Sequence, residues 1–328
     1  GFDRANVDGF ALRAEDTAGA REDAPVLLAL TDDVLTPGVA PTRTVLAGQA
    51  SVIATGGMVP RGADAVVLVE DTELIERDGE QFVEICKALP AGAFIAFAGT
   101  DVGRGETVLR AGQLLTSREI GVLAAVGLAE VPVFRQPRVA VLSTGDELVQ
   151  PGQPLGTGQV YDSNGAIVAA ALREIGCQPI RLGALPDQRE AQQTALEQAL
   201  TYDAVILSGG TSKGAGDLSY EVVSTLRDPG VVVHGVAVKP GKPLCLAVTA
   251  RKPVVILPGF PTSAIFTFHQ FVAPVLRALA GLPAQTRESV AAELPTRMSS
   301  ERGRTEFSMV SLMRTEAGYA AYPMGKSS

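Results

Sequence analysis

Four short polar segments of this chain each follow a run of apolar, β-branched residues, and they carry the side chains best suited to chemistry. They are "STGDEL" at 143–148, "SGGTSKGAGD" at 208–217, "KPGKP" at 239–243 and "PGFPTS" at 258–263. In an open α/β sheet, ligands bind in the crevice outside the carboxyl ends of the strands. Because all four segments follow predicted strands, we expect them to converge on one binding site.

The glycine-rich segment predicts a phosphate-binding loop between a strand and a helix, where backbone N–H groups can face an anion. Its spacing excludes a Walker A loop (Gly-x4-Gly-Lys-Ser/Thr) and a dinucleotide fingerprint (Gly-x-Gly-x-x-Gly). Asp217 has a second interpretation as the cap of the following helix, because Asp is a favoured N-cap residue. The candidate phosphate ligands in this loop are Ser208, Gly209, Gly210, Thr211, Ser212 and Asp217.

The segment "KPGK" places a lysine at each end of a predicted turn. Pro240 and Gly241 are a favoured central pair for a type II turn, so Lys239 and Lys242 are expected near each other. An anion between the two ammonium groups would relieve their repulsion. A solvated hairpin turn is the alternative interpretation.

Two carboxylates, Asp146 and Glu147, follow the strand that ends in "STG". Carboxylates opposite lysines indicate a phosphate-bearing substrate together with a divalent cation, because hard cations take oxygen ligands. For Asp146, a role as a helix or turn cap is the alternative.

Composition narrows the function classes. The chain has 328 residues, 46% of them hydrophobic and 20% charged, which is typical of a soluble globular protein of two or three domains. No run approaches the roughly 18 apolar residues of a membrane helix, and no secretion signal is evident. The net charge of -8 opposes nucleic-acid binding. Two histidines give poor support to a His-based metal centre or a Ser-His-Asp triad, and three isolated cysteines favour a cytoplasmic protein.

The pattern of apolar runs and turn signals around these segments predicts an α/β multidomain fold. Residues 1–98 have the short runs and turn signals of a β-rich domain. Residues 99–135 form a linking segment with a helix capped near Thr116, followed by a strand. Residues 136–282 alternate apolar strands with helices, which predicts a doubly wound, mostly parallel sheet covered on both faces. We expect residues 283–328 to be a truncated C-terminal β domain.

Nine stretches resemble the MoeA family of molybdopterin molybdenumtransferases, which includes the E domain of gephyrin. They run in the family's order from residue 6 to 307, and the α/β part is similar to MogA and MoaB. The stretches are "NVDGFALRAEDT", "IATGGMVPRGADAVV", "GTDVGRGE", "STGDEL", "YDSNG", "SGGTSKGAGD", "VAVKPGKPL", "LPGFPTS" and "GRTEF".

The resemblance implies an enzyme of molybdenum cofactor biosynthesis. Such an enzyme takes adenylylated molybdopterin and molybdate, hydrolyses the adenylate with a divalent cation such as Mg²⁺, and releases AMP and molybdenum cofactor. The resemblance also implies a cytoplasmic homodimer whose cleft joins the α/β domain of one subunit to the β-rich domain of the other. Contact with the molybdopterin adenylyltransferase is a further implied partnership.

The resemblance assigns roles only where the motifs match. The implied catalytic residues are Asp8, Thr55, Asp101, Glu147 and Asp217. Glu147 and Asp217 would hold the metal. Lys239, Pro240 and Lys242 would join the glycine loop in binding the molybdopterin phosphate. Lys242, Ser263 and Arg304 would bind molybdate.

Three positions depart from the family pattern. Asp101 lacks the usual preceding Gly-Glu and the nearby upstream basic residue, Phe260 replaces a common Asn, and Lys213 replaces a small or apolar residue. These departures indicate a divergent subgroup, which includes MoeA-like proteins fused to a periplasmic-binding-type domain.

Two other function classes stay open. One is a non-catalytic protein that binds or scaffolds molybdopterin or molybdate, and the retained carboxylates disfavour it. The other is adenylyl transfer on the same α/β domain. The long β-rich first half, with Asp8 and Thr55, disfavours this activity.

Overall fold

A computed structural model describes residues 1–209, 218–286, 288–316 and 318–324. The chain divides into two compact units, Gly1–Val108 and Leu109–Ser328. The domain boundaries at 98, 135 and 282 stay predictions. Within the described ranges, no helix combines the length and the apolar character that crossing a bilayer requires.

The first unit is built from β-strands. Six of them form one sheet in the order β5-β2-β4-β3-β7-β6, and β1 pairs with β8. All neighbouring pairs are antiparallel except β3 with β4, which are parallel. The strands are β1 (Arg4–Ala5), β2 (Gly9–Leu12), β3 (Val26–Leu35), β4 (Gln49–Ile53), β5 (Ala65–Leu68), β6 (Thr72–Arg77), β7 (Glu80–Ile85) and β8 (Ile95–Ala96).

The core of the first unit follows from strand alternation. Along β2, Phe10 and Leu12 belong to one buried cluster, whereas Ala11 between them belongs to another on the opposite face. Successive side chains of a strand point to opposite faces, so a continuous apolar run buries both.

The second unit begins with a helix. The helix α1 (Ser117–Ala125) opens with the predicted cap, a capping box between Thr116 and Glu119. The strand predicted after this helix is wrong, because residues 126–137 contain none.

The second unit then alternates strands and helices, as the apolar runs predict. A π-helical turn, Phe268–Val272, joins the last two helices. The elements are β9 (Arg138–Thr144), β10 (Leu148–Val149), β11 (Val160–Tyr161), α2 (Ser163–Glu174), β12 (Gln178–Leu185), α3 (Arg189–Ala199), β13 (Ala204–Ser208), α4 (Leu218–Ser224), β14 (Gly230–His234), β15 (Val238–Lys239), β16 (Cys245–Thr249), β17 (Lys252–Leu257), α5 (Pro261–Thr267), α6 (Ala273–Leu279), β18 (Thr305–Glu306), β19 (Val310–Thr315) and β20 (Gly318–Pro323).

The central sheet of the second unit has the order β12-β9-β13-β17-β16-β14. Its first four strands are parallel, and β16 and β14 complete the sheet through antiparallel pairs. Ile206 packs in the cluster on the α2 and α5 face, while Val205 and Leu207 pack in the cluster on the α3 and α4 face. The predicted fold class, a doubly wound and mostly parallel α/β sheet with β-rich parts, is confirmed.

Candidate active site

Three neighbouring strands of the second unit end side by side where predicted loops begin. Ser208 at the end of β13 is in register with Ser143 of β9 and Leu257 of β17. The N–H of Gly209 donates to Leu257 O at 3.2 Å. The loops after β9, β13 and β17 therefore start from one edge of the sheet.

Gly209 itself is required by geometry. Its φ is +109°, and a Cβ there would lie 2.5 Å from Thr144 O. Gly259, after β17, lies beside Gly209, because a Cβ on it would be 3.8 Å from the Cα of Gly209, an ordinary van der Waals contact. The absence of side chains lets the two loops run against each other and against β9.

A buried polar turn at the start of α2 ties these strand ends together. Asp162, 2% exposed, caps α2 by accepting the Gly165 N–H at 2.8 Å, and the same Oδ1 accepts Ser143 Oγ–H at 2.8 Å. Asn164 Nδ2 donates to Ser208 Oγ and to Gly259 O, both at 2.7 Å. We call Asp162 and Asn164 the α2 clamp.

Sequence reasoning missed the clamp as part of the site, because it used "YDSNG" as a matching stretch and assigned no role in the site to Asp162 or Asn164. A signal was present in "YDSNG". An Asn inside a helical turn is unfavourable unless its side chain has a partner.

A second set of buried hydrogen bonds connects the same edge of the sheet to the helices on its opposite face. Thr144 Oγ1 and Ser219 Oγ lie 3.3 Å apart, and Ser219 Oγ donates to Gln192 Oε1 at 3.1 Å. These bonds link β9 to α4 and α3, so both flanks of the strand end are fixed by side chains.

The carboxylates of "STGDEL" lie at this edge with a third that sequence reasoning did not single out. Asp146 Oδ1 accepts the Asp187 N–H at 3.0 Å, which fits the alternative role of Asp146 as a turn cap. Glu147 folds back over Gly145, where a Cβ would lie 2.5 Å from Glu147 Oε2. Burial, together with the charges of Asp146 and Glu147, raises the pKa of Asp187. Negative charge is therefore concentrated here.

Carboxylate oxygens are suitable ligands for Mg²⁺. In the part of the chain that the structure describes, however, no three His, Cys, Asp or Glu side chains are grouped as a metal site. Asp217, predicted to hold the metal with Glu147, lies outside the described residues. Gly210, Thr211, Ser212 and Lys213 lie outside them as well.

The lysine segment differs from its prediction. The Lys239–Pro240 bond is cis and Gly241 has φ +107°, while the hydrogen-bonded turn of this segment runs from Gly241 O to Leu244 N–H at 3.2 Å and is centred on Lys242 and Pro243. Lys239 Nζ lies 3.5 Å from Glu306 Oε1. An internal carboxylate thus offsets part of the charge that an anion was expected to balance, while Lys242 is exposed.

The strand β15 carries Lys239 and pairs in parallel with β18 of "GRTEF". Within that motif Arg304 Nη1 contacts Glu301 Oε2 at 2.9 Å. On the other side, a Cβ on Gly241 would overlap Thr267 Cγ2 and lie 3.6 Å from Ser263 O. The structure therefore brings the lysine segment against α5, which carries Ser263 in its first turn. Phe260, at the N-cap of α5, is 79% exposed and gives no capping bond.

The first unit holds the other predicted residues. Asp8 Oδ1 accepts two hydrogen bonds from Thr55, from N–H at 2.6 Å and from Oγ1–H at 3.0 Å. These bonds, first the one from the Thr55 backbone, lower the pKa of Asp8. Asp101 pairs with Arg4 at 3.4 Å, and both side chains are exposed. Arg4 supplies the basic neighbour that the sequence lacks just upstream of Asp101.

Comparison with known proteins identifies both halves of the chain. Residues 1–127 match the family described as the MoeA N-terminal region (domain I and II), and residues 140–278 match the probable molybdopterin binding domain. Molybdopterin molybdenumtransferase 2 of Mycobacterium tuberculosis is 40% identical over 315 residues, which cover 93% of this chain and 76% of that protein. The Bacillus subtilis molybdopterin molybdenumtransferase is 33% identical, with 89% and 67% covered.

A solved structure agrees with these matches. The crystal structure of a molybdopterin biosynthesis MoeA protein from Pyrococcus horikoshii has a TM-score of 0.80 and 38% identity, and the match covers 99% of this chain and 78% of that one. The chain therefore belongs to the MoeA family of molybdopterin molybdenumtransferases, enzymes of molybdenum cofactor biosynthesis.

Proposed function

We propose that this protein inserts molybdenum from molybdate into adenylylated molybdopterin and releases AMP together with molybdenum cofactor. The observation that carries the proposal is the shared sheet edge at which the carboxylates of "STGDEL" and the glycine loop begin. The M. tuberculosis relative, named as a molybdopterin molybdenumtransferase, covers most of the same chain.

The reaction includes hydrolysis of the phosphoanhydride in the adenylate. Water adds to phosphorus, the bridging P–O bond breaks, and AMP leaves while the molybdopterin phosphate remains. We assign Lys239, Lys242 and the glycine-loop residues to the phosphate, because ammonium groups and backbone N–H groups stabilise its charge. Ser263, Arg304 and Lys242 would hold molybdate.

The carboxylate cluster supports a cation requirement. A polyanionic substrate beside Asp146, Glu147 and Asp187 is repelled unless a divalent cation offsets their charge. Burial is the largest cause of the raised pKa of Asp187, and the neighbouring charges of Asp146 and Glu147 raise it further. We assign Glu147 and Asp217 to Mg²⁺, which when bound polarises the phosphate and neutralises charge developing on the oxygen of the leaving group.

We further propose a homodimer in which Asp8, Thr55 and Asp101 complete the partner's cleft. The helix α1 has no buried residue, and large apolar side chains in and around it, such as Leu114, Ile120 and Phe134, are exposed. A groove of about 700 Å³ runs beside them, from Leu109–Leu115 to Leu282. Sedimentation equilibrium tests this proposal: a dimer supports it, and a monomer at micromolar concentration contradicts it.

The proposed setting is the cytoplasm, and the described cysteines are all free thiols. The adenylylated substrate would come from a molybdopterin adenylyltransferase, and direct contact with that enzyme is part of the proposal. Co-sedimentation of the two purified proteins tests the contact.

One assay separates the function classes. The protein is incubated with adenylylated molybdopterin, molybdate and Mg²⁺, and AMP and reconstituting cofactor are measured together. The proposal expects both products. Binding without AMP release would support a non-catalytic binder, and an adenylyl adduct formed from ATP and free molybdopterin would support adenylyl transfer.

A further inference from the structure

The side-chain amide of Asn164 is buried, 8% exposed, in the first turn of α2. Its nitrogen donates to Ser208 Oγ and Gly259 O, both at 2.7 Å. These acceptors stand at the start of two different loops, the glycine loop after β13 and the loop that leads from β17 into α5. One amide therefore bridges two walls of the proposed site.

The orientation of this amide is fixed by its partners. A backbone carbonyl can only accept, so the nitrogen of Asn164 must face Gly259 O. Its two hydrogens are then used, one on each acceptor. Ser208 accepts through Oγ, which leaves its own hydroxyl hydrogen free to donate to another acceptor.

The turn that carries Asn164 has a fixed reference point. Asp162, two residues earlier, is bonded to Ser143 at the end of β9. The two loops meet at Gly209 and Gly259, where no side chains separate them. The distance between the two loops is therefore set by the backbone contact of Gly209 with Gly259 and by the side-chain amide of Asn164. The bond from Ser143 to Asp162 fixes the position of this turn relative to β9.

We propose that Asn164 is a positioning residue that sets the spacing of Ser208 and Gly259, the residues at which the two loops begin, and through it the affinity for the terminal phosphate of the substrate. The inference deepens the proposed function and rests on it. Asn164 does not need to touch the substrate for this role, because misplacement of a binding loop alone weakens binding.

The test is Asn164→Asp in the full chain. The change is nearly isosteric, but an ionised carboxylate cannot donate to Gly259 O and repels it. At pH 8 we expect the KM for adenylylated molybdopterin to rise at least about tenfold, with kcat reduced less than about threefold. Lowering the pH to about 6 should restore part of the affinity, because a buried acid facing acceptors protonates readily and regains one donor.

The matched control is Thr17→Val in the first unit. Thr17 is also buried and also bridges two segments, donating to Ala14 O at 2.7 Å and accepting the Leu89 N–H at 2.9 Å. We expect this control to lower the thermal midpoint about as much as Asn164→Asp does. Its KM should equal that of wild type at both pH values.

Binding of molybdopterin itself gives a second readout that needs no turnover, and its Kd should rise in Asn164→Asp alone. An unchanged KM and Kd in Asn164→Asp, or equal changes in the control, would overturn the inference. Wild-type protein that binds molybdopterin but releases no AMP would remove the proposed function instead. If wild type does not bind molybdopterin at all, both fail.

Discussion

The α2 clamp and the Asp8–Thr55 pair are both built from short polar side chains, but they differ in burial. Asp162 and Asn164 are buried and hold the ends of three strands through hydrogen bonds. Asp8, before β2, and Thr55, after β4, are exposed, and among the contacts described their side chains bond only to each other. A buried polar group that loses its partner destabilises the fold, whereas an exposed one is rescued by water. Function and stability should therefore be coupled in the clamp and separable in the pair.

Gly209→Ala should have the largest effect, because it disturbs the edge that the clamp holds. Positive φ and the overlap with Thr144 O together should lower the free energy of unfolding by at least about 2 kcal/mol. Urea denaturation measures this change. The control is Gly152→Ala, at φ +92° with no atom within 4 Å of the added Cβ. It introduces backbone strain without overlap, so its loss of stability should be smaller than that of Gly209→Ala. Equal losses at both positions would contradict the close contact.

Asp162→Ala tests the clamp directly. It removes a helix cap and leaves the Ser143 hydroxyl without its buried acceptor, so the free energy of unfolding should fall by about 2 kcal/mol. Asp162→Asn keeps an acceptor oxygen and should retain most of the stability. If both substitutions are tolerated equally, hydrogen bonding by Asp162 does not hold the strand end.

Asp8→Asn should show the opposite balance in the first unit. We expect at least about a tenfold loss of AMP release with no measurable change in thermal midpoint at pH 7, because an exposed group has water as an alternative partner. Asp23→Asn, at an exposed ion pair outside all motifs, is the control. A lowered midpoint without loss of activity would reverse the comparison.

Asp187→Asn should have the smallest effect, and it depends on pH. The pKa of Asp187 is raised in the folded protein, so folding favours its protonated form. The associated stability is present below the unfolded pKa, about 3.9, and is lost as pH rises through the folded value. The variant should therefore unfold at a higher temperature than wild type near pH 7 and match it near pH 3. Equal midpoints at both pH values would show that the carboxylates do not interact.

The comparison also shows what the sequence could and could not predict. The alternation of apolar strands and helices predicts the parallel sheet, because continuous burial on both faces admits few other architectures. The cap of α1 at Thr116 follows from local rules in the same way. The hydrogen-bonded turn from Gly241 to Leu244 and the contact of Gly241 with α5 were not predicted. The contact joins segments that are distant in sequence, so it leaves no local signal.

The site residues also include some that local motifs predict and others that depend on long-range packing. Motif positions predict that Ser208 and Gly209 lie at a strand end, and the structure places them there. The bond from Asn164 to Gly259 spans 95 residues, and the pairing of Lys239 with Glu306 spans 67 (306 minus 239). Such long-range pairs depend on how elements pack, so spacing within a motif does not reveal them.

The central claim, that this sheet edge supports hydrolysis of a molybdopterin adenylate, is tested most directly by AMP release from wild type and Asp217→Ala side by side. Both proteins are supplied with adenylylated molybdopterin, molybdate and Mg²⁺, and circular dichroism establishes that both are folded. We predict AMP and active cofactor from wild type and neither from the folded variant. Equal AMP release by the two proteins, or none from a wild type that binds the substrate, would contradict the account.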